Sequence, residues 1–308
     1  MQGQRSRVRL SELRATTTLA AVIGSPVRHS LSPVVHNAAF ERLGLDWACV
    51  ALEVGAGHGE EAVAGARTLG LGGLSVTMPH KAAARRAADR CTATAERLDA
   101  VNCMSWDGDA WVGDNTDGAG FLDSLRVDHG VDPDGQRCMV LGAGGAARAV
   151  VLALADAGAA DISVVNRTTD RAQAAAALAG RRGRVGTLDD ADSAGLVVNA
   201  TPVGMAGQTG TVSGREGGDL CAVPRERLRP GQVVVDLVYD PVETALLTAA
   251  RERGATTVNG LGMLVHQAAH SFARWTGTRA PVSTMLAAVT AELVRRNQSP
   301  DAGEGDRS

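Results

Sequence analysis

The sequence predicts an α/β chain of two domains, and three observations carry that reading. Its 308 residues are about twice the length of a typical single domain. Apolar runs such as Arg137–Leu141, Leu196–Asn199 and Val233–Val238 lack polar alternation, as strands buried on both faces of a parallel sheet do. Segments with apolar spacing near a helical turn lie between such runs, and strand–helix alternation of this kind builds a doubly wound unit.

The elements follow in chain order. Residues 1–18 are expected to form a flexible tail. Arg5, Arg7, Arg9 and Arg14 imitate the basic start of a secretory signal, but Glu12 interrupts them and the apolar run behind is only Leu19–Ile23. Leu19–Ile23 reads as the first strand, Gly24-Ser25-Pro26 as a turn, and Pro33–Leu43 as a helix with proline at its first position. Trp47–Val54 and Gly73–Met78 read as strands and Ala82–Arg90 as a helix. Val101–Trp106 and Ala110–Val112 flank Asp107-Gly108, a hairpin signal.

Beyond the strand Arg137–Leu141 a helix is expected through about Ala157, then the strand Ile162–Val165 and the helix Thr169–Leu178. Residues from about Gly207 to Pro224 read as a surface loop. Gly260–Thr276 and Ser283–Arg296 are amphipathic helices expected to return to the first half. The resulting scheme is a discontinuous first domain (19–118 with 262–297), a second domain (119–261) and a disordered tail (298–308).

Composition narrows the function. With 44% hydrophobic and 21% charged residues the chain is not disordered. A net charge of −3 leaves no footprint for nucleic acid or an anionic membrane. The cluster Arg181, Arg182, Arg184 is short and without aromatic partners, so it reads as a solvated face. No apolar run reaches the roughly 18 residues of a membrane span. The five cysteines form no C-x-x-C pair, which argues for reduced thiols in a cytoplasmic protein over a zinc site or a disulfide framework. No metal is expected. Asp107, Asp109, Asp114 and Asp117 miss the spacing of a calcium loop, and His266 and His270 lack the Glu of a metalloprotease helix. The nucleophile elbow G-x-S-x-G is absent.

The strongest local motif is Gly142-x-Gly144-x-x-Ala147, directly after a strand and opening a helix. The first glycine permits the turn, the second lets backbone approach a pyrophosphate, and the small third residue allows close helix–strand packing. A tight turn without a ligand is the bland alternative. Dinucleotide sites for NAD place a carboxylate about 20 residues on, at the end of the next strand. Here Asn166-Arg167-Thr168 stands there, with Arg171 a turn later. Guanidiniums pair with a 2′-phosphate that a carboxylate would repel, so a Rossmann-like NADP-binding domain is expected. Asp170 reads as a helix cap.

The first half offers polar groups for a substrate. Ser30 and Ser32 adjoin a helix start, although capping by Ser32 explains them equally well. Ser75, Thr77 and Lys81 follow a strand, and Asn115-Thr116-Asp117-Gly118 ends the hairpin region. The segments Gly118–Gly120 and Gly260–Gly262 read as a hinge from their glycines.

In this order the motifs are highly specific, and the chain resembles NADP-dependent shikimate dehydrogenases from about Leu19 to Leu293. The landmarks are Gly24-Ser-Pro26, His29-Ser-Leu-Ser-Pro33, Ser75-Val-Thr-Met-Pro79 with Lys81, Ala100-Val-Asn102, Gly113-Asp-Asn-Thr-Asp-Gly118, Gly142-Ala-Gly-Gly-Ala146, Asn166-Arg-Thr168, Asn199-Ala-Thr201 and Gly260-Leu-Gly-Met-Leu264.

The resemblance implies reversible reduction of 3-dehydroshikimate by NADPH in chorismate biosynthesis, with the first domain holding substrate. It implies Lys81 and Asp117 as the catalytic pair and Ser30 and Ser32 on the substrate carboxylate. Thr77, Asn102, Asp117, Tyr239 and Gln267 would line the rest of the substrate. Gly142, Ala143, Gly144, Gly145 and Ala146 would bind pyrophosphate, and Asn166, Arg167, Thr168 and Arg171 the adenosine 2′-phosphate. Thr201, Leu237, Gly260 and Met263 would lie along the nicotinamide. One departure stands out, because many members carry Asn where this chain has Ser75. A small-molecule substrate and a homodimer are the expected partners. Quinate/shikimate or aminoshikimate dehydrogenases are alternatives, as is a silent NADP-binding sensor, which would not need Lys81 and Asp117. A glutamyl-tRNA reductase would need a catalytic cysteine that neither Cys49, Cys91 nor Cys103 resembles.

Overall fold

The computed structural model describes residues 13–205 and 221–298. The chain is α/β, and it divides into two compact units with separate sheets. Residues 13–92, 100–114 and 268–298 form one, and residues 93–99 and 115–267 the other.

The first unit carries β1 (Thr18–Gly24), α1 (Ser32–Leu43), β2 (Trp47–Glu53), α2 (Gly59–Thr68), β3 (Gly73–Val76), α3 (Lys81–Ala87) and β4 (Arg90–Cys91). The chain then contributes α4 (Ala93–Leu98) to the second unit before returning as β5 (Cys103–Asp107) and β6 (Ala110–Asp114). Sheet order is β2-β1-β3-β5-β6-β4. β1 runs parallel to both β2 and β3, so the strand order reverses between β1 and β3. In open α/β sheets such a reversal leaves a crevice at the carboxyl ends of the strands.

The second unit carries α5 (Asp117–Asp123), which continues as a π-helical turn over Ser124–Asp128, then β7 (Arg137–Leu141), α6 (Gly145–Asp156), β8 (Asp161–Val165) and α7 (Thr169–Ala176). It continues with β9 (Gly183–Val185), β10 (Leu196–Asn199), β11 (Val233–Asp236), α8 (Ala245–Glu252) and β12 (Thr256–Val258). The last helices are α9 (Leu261–Thr276), divided between the units after Gln267, and α10 (Val282–Gln298) in the first unit. The second sheet is wholly parallel with order β12-β11-β10-β7-β8-β9. That order belongs to dinucleotide-binding sheets, with the reversal between β7 and β10. Val140, Ile162 and Val198 pack with α6 on one face, and Met139, Val197 and Val234 with α8 on the other. Burial on both faces is why these strands show no alternation.

The structure differs from the expected elements in several places. The hairpin loop is Gly108-Asp109, one residue beyond Asp107-Gly108, because Asp107 still pairs with Ala110. The third strand stops at Val76, and Arg90 is strand instead of helix end. Helices α2, α4 and α8 were not legible, being short and rich in alanine, glycine or charge. Thr16 and Thr17 donate to Asp46 at 2.8 and 2.6 Å, and Thr18 already lies in β1, so the expected tail is docked from there. Asn115–Gly118 groups with the nucleotide unit, since α5 packs on α6 with Gly118 against Ala149 and Ala153. Helix α4 joins it through Arg97–Asp156 ion pairing at 2.8 Å and an Arg148 bond to the Leu98 carbonyl at 3.0 Å. The expected loop at Gly207–Pro224 and the tail after Gln298 fall mostly outside the described residues. Among the described residues no helix is long and apolar enough to cross a membrane.

Candidate active site

In the first unit the site is built on the adjoining ends of β1 and β3. Thr77 N–H donates to the Ile23 carbonyl and Ser25 N–H to the Met78 carbonyl, both at 2.9 Å. Val76 N–H donates to the Asn102 carbonyl at 2.8 Å, and Val101 N–H to the Lys81 carbonyl at 2.9 Å. Main-chain bonds therefore hold Thr77, Lys81 and Asn102 at one end of the sheet. Lys81 opens α3 and is half-buried, as is Thr77, while Asn102 is buried.

Ser30 and Ser32 lie at the start of α1. The cap position belongs to Leu31, with no side-chain cap, so capping by Ser32 is excluded and its hydroxyl is not used that way. The Ser30 hydroxyl instead accepts from Ser32 N–H at 3.2 Å. Glu53 braces the preceding loop by accepting from Val27 N–H at 2.9 Å; that bond and one from Ser25 hold its carboxyl below the usual range. A further residue had no role in the sequence reading. His80 is buried between Pro79 and Lys81 and donates from Nε2 to the Val54 carbonyl at 2.7 Å. This ties the turn before α3 to the end of β2.

In the second unit the Gly142 turn bridges β7 and β8, with Gly142 N–H donating to the Val165 carbonyl at 2.8 Å. Gly142 has φ +105°, and a Cβ there would lie 2.8 Å from the Ala200 carbonyl oxygen. Only glycine meets both demands. Gly144 and Gly145 are exposed, and space beside Gly144 is open, with no heavy atom within 4 Å of where its Cβ would stand. Ala143 and Ala146 are half-buried, and Ala147 is fully buried in the core. A pyrophosphate fits such a turn, since bare backbone amides face an open side at a helix start.

At the end of β8, Asn166 Nδ2 donates to the Thr168 carbonyl at 3.0 Å and shapes the loop. Arg167, Thr168 and Arg171 are exposed. Among the described residues no carboxylate pairs with Arg167 or Arg171, whereas Arg184 is paired with both Asp161 and Asp190. Two uncommitted guanidiniums beside the glycine turn suit a 2′-phosphate. Asp170 does not cap α7; the cap position is Thr168, and Asp170 lies in the first turn.

The remaining candidates end β10 and β11 or begin α9. The Thr201 hydroxyl and N–H both donate to Asn199 Oδ1, at 2.6 and 3.1 Å, and its methyl lies beside the Gly142 turn. Asn199 is tied in turn to Asp236; the sequence marked Asn199 only as part of the landmark Asn199-Ala-Thr201 and gave no role to it, Asp236 or Thr244. The signal available was a polar residue closing each apolar strand. A Cβ on Gly260 would collide with the Leu237 carbonyl. Met263 and Leu237 each pack at the margin of the core, and Tyr239 is half-buried after β11. Asp117 is buried at the start of α5, its N–H donating to Asn115 Oδ1 at 3.2 Å. Gln267 Nε2 donates to the Leu264 carbonyl at 2.8 Å.

The glycines expected as a hinge are points of close approach. Gly120 abuts the Gln267 backbone and Gly262 abuts Ser124. His266, beside Gln267, is held by both oxygens of Asp128 at 3.0 and 3.1 Å. Among the described residues no group of three His, Cys, Asp or Glu side chains is arranged to hold a metal ion.

Comparison with known proteins gives the following. Family models for the shikimate dehydrogenase substrate binding domain, shikimate/quinate 5-dehydrogenase and the shikimate 5'-dehydrogenase C-terminal domain match residues 22–104, 127–201 and 260–290. A shikimate dehydrogenase (NADP(+)) of Moorella thermoacetica is 41% identical over 302 residues, spanning 95% of this chain and 99% of its own. One from Methanopyrus kandleri is 43% identical over 289 residues, spanning 91% and 97%. The crystal structure of shikimate 5-dehydrogenase from Thermus thermophilus with NADP(H) and shikimate matches with TM-score 0.80 and 36% identity, over 89% of this chain and 99% of that one.

Proposed function

The chain belongs to the shikimate dehydrogenase family, and from that premise we propose that it catalyses the reversible, NADPH-dependent reduction of 3-dehydroshikimate to shikimate in chorismate and aromatic amino acid biosynthesis. What supports the cofactor most is the end of β8, where exposed, uncommitted Arg167 and Arg171 stand in place of an acid. The bound cofactor supplies the hydride to the C3 carbonyl.

The chain supplies the rest. The Gly142–Ala146 amides hold the pyrophosphate, and Asn166, Arg167, Thr168 and Arg171 the 2′-phosphate. Leu237, Gly260, Met263 and the Thr201 methyl line the nicotinamide. Ser30 and Ser32 take the substrate carboxylate; Thr77, Asn102, Tyr239 and Gln267 orient its ring hydroxyls. The Lys81 ammonium stabilises the developing alkoxide and protonates it, and Asp117 orients that ammonium. Burial of Cys49, Cys103 and Cys138 pushes each thiol up to about 12. Unreactive reduced thiols support a cytoplasmic setting. A homodimer remains the proposed assembly, to be read by sedimentation.

The test follows NADPH absorbance with 3-dehydroshikimate, 3-dehydroquinate and an amino analogue in parallel. The highest kcat/KM is expected with 3-dehydroshikimate. Lys81→Ala should keep substrate affinity within a few-fold while kcat falls about 10²- to 10⁴-fold, the size of a general-acid contribution. No oxidation with any of the three ketones overturns the reading, and near-normal turnover of the variant removes Lys81 from the chemistry.

A further inference from the structure

The ends of β10 and β11 are joined by a buried hydrogen-bond chain centred on Asp236, the last residue of β11 and fully buried. Its Oδ1 accepts from Asn199 Nδ2 at 2.9 Å and from Val238 N–H at 3.1 Å, and its Oδ2 accepts from the Thr244 hydroxyl at 2.7 Å. Burial pushes the Asp236 carboxyl up, and the three donors oppose that shift. Among the described residues no cationic side chain pairs with it. A buried anion that has donors but no counter-charge is costly, and such groups concentrate where their charge is used.

Each donor fastens a different segment. Asn199 Oδ1 also accepts from the N–H and hydroxyl of Thr201 at 3.1 and 2.6 Å, while Asn199 Nδ2 reaches the Val203 carbonyl at 3.1 Å. Val238 directly precedes Tyr239. Thr244 caps α8 by accepting from Leu247 N–H at 3.3 Å. Leu237, the residue after Asp236, donates its N–H to the Asn199 carbonyl at 2.9 Å.

We propose that Asp236 positions the nicotinamide end of the cofactor site and sets its charge: the carboxylate fastens Thr201 and Leu237–Tyr239 and favours the cationic oxidised ring over the neutral reduced one. The inference rests on the functional reading above, in which those residues line the nicotinamide. Oxidation leaves a positive charge on the ring, and a fixed anion in a poorly screened interior attracts that form selectively. A purely structural carboxylate would support both forms alike.

The experiment measures the dissociation constants of NADP+ and NADPH separately, by calorimetry or fluorescence titration, in the unmodified protein and two variants. Asp236→Asn keeps the shape and removes the charge. Its Kd ratio of NADP+ to NADPH is expected to rise about fivefold, equivalent to raising the potential of the bound couple by about 20 mV at ~30 mV per tenfold. Thr244→Val removes one donor and keeps the carboxylate, so it should lower thermal stability without raising that ratio. If the asparagine variant does not fold, Asp236→Ser, which retains an acceptor for Val238 N–H, gives the same reading. Parallel weakening of both forms, or an unmoved ratio in the neutral variant, overturns the inference. Failure of the unmodified protein to bind either form overturns the functional reading instead, so the two failures are distinct.

Discussion

Arg167 owes its readability to its position. It follows the last residues of β8, is exposed, and is not drawn into an ion pair with any described residue. A charge-assisted hydrogen bond contributes about 1.5–3 kcal/mol, so Arg167→Asp should weaken NADPH use roughly 10- to 100-fold and leave NADH little changed. The ratio of kcat/KM for the two cofactors measures this, and an unchanged ratio would strip Arg167 of its role. Other residues carry no such local mark. Asp236 and Asn199 stand 37 positions apart, and each reads singly as a polar residue ending a strand. Ser32 shows the converse. The sequence allowed both a cap and a ligand, and only the conformation at Leu31 removed the cap.

At the scale of elements, α5 with its π-helical turn lies against the first turns of α9. Contact is made through glycines, with Gly120 against the Gln267 backbone and Gly262 against Ser124, and is locked by His266 on Asp128. Flexibility was the sequence reading of these glycines; small size is what the packing requires. Gly120→Ala would place a methyl against main chain that cannot rotate away. Overpacking of this kind costs about 1–3 kcal/mol, readable by urea unfolding. Displacement of Gln267 should also raise KM for shikimate more than it lowers kcat. Stability and KM both at wild-type values would show that the helices part freely. Periodicity identified α1, α6, α9 and α10 because each carries a long apolar stripe. It missed α2, α4 and α8, which span only 10, 6 and 8 residues, too few turns for a periodic signal to stand out.

Among the described residues the molecule has two sheets, one in each unit, and the first unit buries an uncompensated histidine. His36 packs against the Trp275 ring at 4.4 Å and the Phe40 ring at 6.2 Å, and neither ring nitrogen has a hydrogen-bond partner. Burial lowers it from the ordinary 6.5 to about 3. The folded value is the lower one, so between those limits the unfolded chain holds a proton that the folded chain does not. This contribution is complete above the unfolded value and is lost as pH falls toward the folded one. Between pH 7.5 and 5.5 it should reduce stability by about 1.4 kcal/mol, at 1.36 kcal/mol per unit. His36→Leu should flatten that slope in denaturant melts taken across this range; an identical slope would place the acid sensitivity elsewhere.

By itself the sequence determined the parallel nucleotide sheet, the Gly142 turn and the basic end of β8. Each is a local pattern of a few consecutive residues, whose backbone preference or apolar burial does not depend on distant partners. The tertiary structure alone decided the Asn199–Asp236–Thr244 chain, the glycine contacts of α5 with α9, and the division of α9 between units. These arise where segments far apart in the chain meet. Their energy comes from burial and from paired polar groups, neither of which a single stretch of sequence contains.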